Sequence, residues 1–134
     1  MEYRSSSVDI YTEWDIVAAR QLGRNEAKKL GFGTVDQARI TTAISELARN
    51  IYLYAGKGKI EITCIHKDDA TGISIIASDE GPGFPDVRKV MDDGFTTSGG
   101  LGAGMPGVRR LMDDFNIVTK RGVGTTITAI KWIR

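Results

Sequence analysis

The sequence predicts an α/β (α+β) fold, a two-layer sandwich in which one mixed, mostly antiparallel sheet is covered on one face by helices. Three observations predict it. Strand-like alternation appears near the start, in the middle and at the end of the chain, two long helical stretches separate the first strand from the central pair, and a glycine-rich run precedes a third helix. With 134 residues, 41% apolar, 26% charged and a formal net charge of +1, the composition suits one ordinary domain over residues 1–134, with no repeat, linker or internal boundary.

The elements follow in order. Ser7 to Ile10 reads as a short strand, and Thr12 as the N-cap of a helix carrying Ile16, Val17, Leu22, Ala27 and Leu30 partly at helical spacing, stopped by Gly31. Thr34 and Gln37 have the spacing of a capping box, and Ala43, Ile44, Leu47, Ala48 and Ile51 make the apolar stripe of a second helix closed by Gly56. Lys59 to His66 alternates, a polar turn spans Lys67 to Thr71, and Gly72 to Ser78 returns as the second arm of an antiparallel hairpin. DEGPGFPD then breaks all periodicity, Asp86 to Met91 is a short helix, and GGLGAGMPG from residue 99 is a loop. A third helix, Met105 to Asp113, turns Val108, Leu111 and Met112 inward, and the hairpin FNIVTK, RGVG, TTITAIKWI ends the order.

Several function classes are disfavoured. Lys and Arg are dispersed from Arg4 to Arg134 without a basic patch, which argues against nucleic acid as a partner. No apolar run approaches the roughly 20 residues of a membrane span, and MEYRSSSVDIY lacks the layout of a signal peptide, so no membrane partner and a cytoplasmic location are expected. The single cysteine, Cys64, cannot form an internal disulfide and is expected as a small buried side chain, and His66 as a strand-end residue.

Four groups of residues carry chemistry. Glu46 and Asn50 lie four apart and project from one helix face at the edge of the apolar stripe; they read either as a solvated pair or as a proton-accepting carboxylate beside a neutral oxygen ligand for Mg²⁺. Asp79 emerges from the apolar strand ISIIAS, with Gly81 and Gly83 around Pro82; it fits a plain Asx turn or a carboxylate that reads a ligand approached by bare backbone. The run GGLGAGMPG leads into a helix N-terminus, where backbone N–H groups can meet phosphate, though a flexible loop has the same composition. It lacks the GxxxxGK pattern of a P-loop and does not follow a strand as a dinucleotide fingerprint does.

The order of these groups, E-x-x-x-N on a helix, D-x-G-x-G after a strand, G-x-G before a helix and G-x-G-T between the last strands, resembles the GHKL ATPase superfamily, with its Bergerat ATP-binding fold. Within it, ARQLGRNEAKKLGF, ISELARNIYLYAGKG, ASDEGPGF and GLGAGMPGVRRLMDDF are similar to the RsbT type of serine/threonine kinase, the switch kinase of stressosome pathways. The resemblance implies an enzyme using ATP and Mg²⁺: Glu46 as general base, Asn50 as Mg²⁺ ligand, Asp79 as acceptor of the adenine amino group, and Gly81 and Gly83 close to the base. It places Gly100, Gly102, Ala103 and Gly104 at the phosphates and Thr125 or Thr126 on the adenine side. Implied partners are STAS-domain proteins as substrates and a PP2C-type phosphatase that the released kinase activates. Two alternatives within the resemblance are an anti-sigma factor kinase that sequesters a sigma subunit and a mainly non-catalytic docking module tuned by nucleotide. Related anti-sigma kinases place a basic residue just ahead of the lid's G-x-G, where Gly99, Gly100 and Leu101 stand here; Arg49 and Arg109 are the remaining candidates for the cation at the γ-phosphate. Tyr3, Tyr11, Trp14, Tyr52 and Tyr54 are the aromatic candidates for core or docking face.

Overall fold

A computed structural model of the chain describes residues 5–83 and 104–133. The elements are β1 (Ser5–Ile10), α1 (Glu13–Leu30), α2 (Thr34–Tyr54), β2 (Gly58–Lys67), β3 (Ala70–Asp79), α3 (Gly104–Leu111), β4 (Asp114–Lys120) and β5 (Gly124–Trp132). The expected helix at Asp86 to Met91 and the glycine-rich residues before Gly104 lie outside the described residues.

The strands form one sheet in the order β1-β2-β3-β5-β4. Every neighbouring pair runs antiparallel, so the parallel component of the expected mixed sheet is not found among the described residues. The reason lies in β5, which leaves the β4 hairpin and inserts beside β3 in the opposite direction. Asp79, the last residue of β3, pairs in register with Thr125 near the start of β5.

Helices α1, α2 and α3 pack on one face. Ile10, Ile60, Ile62, Ile73, Ile75, Ile127 and Ala129 supply the sheet side of the core, against Ile40, Ile44, Leu47 and Ile51 of α2 and Met105 and Val108 of α3. In α1 the buried positions are Ile16, Ala19, Gly23 and Ala27, while Val17, expected on the inner stripe, is exposed. Small residues define this inner face: a Cβ on Gly23 would lie 2.0 Å from Ile44 Cδ1, so with glycine there α1 packs against Ile44 without moving its side chain. Burial on the helix side of β2 falls from Ile60 and Ile62 to a half-buried Cys64 and an exposed His66. Cys64 is therefore not the buried side chain expected, because the hairpin runs out beyond the helical layer; its Sγ lies 3.7 Å from His66 Nε2.

Helix ends follow the local chemistry. Gly31 adopts φ 96°, its N–H donates to the Lys28 carbonyl, and the Phe32 N–H donates to Ala27, which satisfies the last carbonyls of α1. Gly56 does the same work after α2, with φ 82° and its N–H on the Ile51 carbonyl. The expected capping box at Thr34 does not form: Gly33, which has no side chain to cap with, is the N-cap, its carbonyl takes the Gln37 N–H, and the Gln37 side chain donates to the Phe32 carbonyl at 2.7 Å. The β2–β3 turn is tighter than expected, two residues between Lys67 and Ala70, with Asp68 at φ 55°, a conformation Asp tolerates better than most.

Two polar groups organise the remainder. Lys131 sits on the helix side of β5 at 7% exposure, where its Nζ donates to the Leu111 carbonyl at 2.9 Å and lies 3.8 Å from both Asp36 and Asp113. It joins the C-terminal end of α3 to the first turn of α2. No helix among the described residues is long and apolar enough to cross a membrane.

At the start of α1, Asp15 Oδ2 accepts the Tyr11 and Thr12 N–H groups, both at 2.8 Å. The Tyr11 N–H, followed by that of Thr12, holds the carboxyl below its ordinary value. The depressed group stabilises the fold above the unfolded pKa and loses that contribution as pH falls through the folded one. Thermal unfolding should therefore show Asp15→Ala melting below wild type at neutral pH, with the gap closing on strong acidification; a gap independent of pH would refute this account of the cap.

Candidate functional site

The C-terminal half of α2 and the end of β3 bring the chemistry together. Glu46 and Asn50 share one face of α2 and are both buried, at 2% and 3% exposure, rather than at the edge of the buried stripe. Glu46 Oε1 lies 3.9 Å from Nη1 of Arg49, so a cation stands one turn from the buried carboxylate. Asn50 Oδ1 has no hydrogen-bond partner among the described residues. An orphaned buried acceptor costs about 1–3 kcal/mol, and a neutral oxygen so placed fits a hard cation or an ordered donor.

Asp79 stands where β3 ends. Its Oδ1 accepts the Gly81 N–H at 2.9 Å, which is the Asx turn that the sequence allows. Burial pushes its carboxyl above the ordinary value, against the opposing pull of the Gly81 and Thr125 backbone N–H groups. The turn thus holds an acceptor in a half-buried position with its second oxygen uncommitted by that bond.

The loop after Asp79 is pinned from below. Gly122 donates its N–H to the Pro82 carbonyl at 2.7 Å, which ties the loop to the β4–β5 turn. Gly83, at φ 73°, has room for no side chain, since a Cβ would lie 2.5 Å from the Lys120 carbonyl oxygen. At Gly81 a Cβ would meet the Ala55 Cβ at 2.6 Å. Asn50, Tyr54, Asp79, Gly83 and Thr125 consequently line one cleft.

The two threonines separate. Thr125 is buried on the helix side with its Oγ1 2.9 Å from that of Thr119, whereas Thr126 is exposed on the opposite face beside Lys59 and Ser78. The alternation of a strand allows only one of two neighbours to face the cleft. Gly104 begins α3, buried at φ 69°; Gly100, Gly102 and Ala103 lie outside the described residues. Of the two arginines, Arg49 is partly buried beside Glu46 and Arg109 is exposed on α3. Tyr54 was not among the expected cleft residues, yet its position four after Asn50 on α2 puts both on one face.

Comparison with known proteins fits this arrangement. Residues 35–133 match the family model of the histidine kinase-, DNA gyrase B- and HSP90-like ATPases. The chain belongs to the GHKL ATPase family. Within the GHKL ATPases it is a serine/threonine kinase of the RsbT type: it is 71% identical over 129 residues to the serine/threonine-protein kinase RsbT of Bacillus subtilis (strain 168), covering 96% of this chain and 97% of that protein. Two solved structures share the GHKL fold. The RsbU and RsbW domains of a Mycobacterium tuberculosis protein give a TM-score of 0.63 at 19% identity over 98% of this chain, which spans only 32% of that one. The mycobacterial sensor histidine kinase MprB gives 0.56 at 17% identity, over 98% of this chain and 99% of its own.

The tightest backbone contact where β3 meets β5 is at Gly124, whose φ is 149° and where a Cβ would lie 2.1 Å from the Asp79 carbonyl oxygen. Gly124→Ala must displace the end of β3, and a loss of about 2 kcal/mol or more in chemical denaturation is expected. Gly122→Ala, with nothing within 4 Å of the added Cβ but φ 79°, should cost less, about 1 kcal/mol. Equal losses at the two positions would show that the contact with Asp79 is not what makes Gly124 necessary.

Proposed function

We propose that this RsbT-type kinase transfers the γ-phosphoryl group of ATP to a serine or threonine of a STAS-domain stressosome protein and, once released, binds and activates a PP2C-type phosphatase. In this reading residues 1–134 act as one unit in the cytoplasm. The observation that carries the proposal is the buried pair on α2, Glu46 and an unsatisfied Asn50 Oδ1, of which Asn50 lines one cleft with Asp79 and Gly83.

Each residue has a part. Asp79, held by the Gly81 N–H, accepts the amino group of adenine, and the missing side chains at Gly81 and Gly83 let the base lie against backbone. Thr125 completes the adenine side from β5. The Gly104 end of α3 offers backbone N–H groups to phosphate. Glu46 takes the proton of the attacking hydroxyl, and the neighbouring Arg49 places positive charge beside the reacting centre.

Asn50 Oδ1 is the protein oxygen that would hold Mg²⁺, with the ATP phosphates as its other ligands. When bound, the ion neutralises charge on the β- and γ-phosphates. Phosphoryl transfer needs little covalent help from the protein, so positioning and charge are what these side chains supply.

Transfer of label from ATP to a cognate STAS-domain protein in the presence of Mg²⁺ tests the reading. Glu46→Ala should lower the rate by about 10²-fold or more, and EDTA should abolish transfer by wild type. No transfer by wild type, or full transfer by Glu46→Ala, would overturn it.

Acid dependence gives a second check. Because burial raises the Asp79 carboxyl, protonation removes the ionised acceptor at a higher pH than for an exposed aspartate. Affinity for a fluorescent ATP analogue should fall on mild acidification, and Asp79→Asn should bind more weakly at neutral pH with a flatter profile. An Asp79→Asn protein with the same pH dependence as wild type would place the titrating group elsewhere.

A further inference from the structure

Along the outer surface of α1 and α2 runs a groove that, apart from Arg49, is lined by residues with no role above. Trp14, Val17 and Leu53 stand in it with 80%, 47% and 44% exposure, and Arg20, Arg49 and Glu13 complete its walls. An indole left this open on a helix has no structural function in the chain itself, and apolar side chains grouped in a concave surface with arginines are the composition of an interface centre.

We infer that this groove is the docking surface for the protein substrate of the kinase, and that it takes a segment with apolar side chains and carboxylates. The inference rests on the kinase reading above. Two observations select this occupant. The first is charge: the walls present Arg20 and Arg49 beside the single Glu13, which suits carboxylates on a partner. The second is continuity: Arg49 lines the groove and also stands 3.9 Å from the Glu46 carboxylate, so a segment seated there delivers its neighbouring hydroxyl toward the base. Trp14 anchors the apolar end of the segment, and Arg20 meets its carboxylates.

The division of labour follows from the chain's own layout. Nucleotide contacts come from the inner face of α2 and the ends of β3 and β5, whereas the groove uses residues of α1 and the outer side of α2. Substrate docking and nucleotide binding can thus be altered separately. Trp14 and Arg20 are exposed, so changes there leave the core intact.

The test measures direct binding of the cognate STAS-domain protein by calorimetry, its KM in the transfer reaction, and the affinity for a fluorescent ATP analogue, for wild type, Trp14→Ala and Arg20→Glu. Both variants should raise the Kd and KM for the STAS protein at least about tenfold, with the ATP analogue bound as by wild type. Unchanged Kd and KM for the STAS protein would overturn the docking site while leaving the kinase reading intact. If wild type binds the STAS protein without phosphorylating it, the kinase reading fails, and the binding arm alone still decides the groove. A wild-type chain that does not bind the STAS protein, or that sediments as a dimer dispersed by Trp14→Ala, would assign the groove to another occupant and overturn the inference.

Discussion

Everything in this molecule depends on one helix packing two ways at once. Helix α2 gives the core Ile40, Ala43, Ile44, Leu47, Ala48 and Ile51, all essentially closed to solvent, and on an adjoining strip it carries Glu46 and Asn50 into the interior. Burial of a carboxylate and of an unsatisfied amide oxygen is unfavourable, by roughly a few kcal/mol together. The apolar stripe offsets it, since each fully buried Ile or Leu contributes about 1.5–3 kcal/mol. The stripe must therefore be well packed for the polar strip to stay in place, and the glycine that lets α1 close onto Ile44 serves the site as much as the core.

The second constraint is set by backbone. The ends of β3 and β5 approach so closely at Asp79 and Gly124 that side chains are excluded there, and the loop through Gly81 and Gly83 leans on Ala55 and on the Lys120 carbonyl. These contacts position Asp79, whose carboxyl meets the Gly81 and Thr125 backbone N–H groups. Its carboxyl is raised by burial yet steered by N–H groups where the strand ends. Lys131 works in the same spirit at the other end of the helical layer, where one ammonium group gathers α2, α3 and the start of β4.

How much of this was legible in the sequence varies with the physics involved. The α2 stripe and both hairpins were readable because period 3.6 and period 2 are local properties, and every stripe residue named for α2 is buried. Glu46, Asn50 and Asp79 were legible as a motif order, and the cleft does gather Asn50, Asp79, Gly83 and Thr125. Val17 pointed the wrong way because the inner face of α1 is made of Ala19 and Gly23, which a search for large apolar residues passes over. Thr126 could not be separated from Thr125 until the register with Asp79 fixed the phase of β5. Cys64 looked buried because alternation tells which side a residue faces and not how far the covering layer extends. Lys131 in a buried position had no local signal at all, for its partners Asp36, Leu111 and Asp113 come from distant parts of the chain.

The placement of β5 bears on when the protein becomes competent. It is the last element in chain order, yet it occupies the fourth place in a five-strand sheet, between β3 and β4, and it supplies Thr125 and the Gly124 contact to the cleft. During synthesis, α1, α2 and the β2–β3 hairpin emerge from the ribosome well before that strand. Until β5 pairs, the edge of β3 stands open and the core lacks Ile127 and Ala129, so the strand made last closes the core and the cleft in one step.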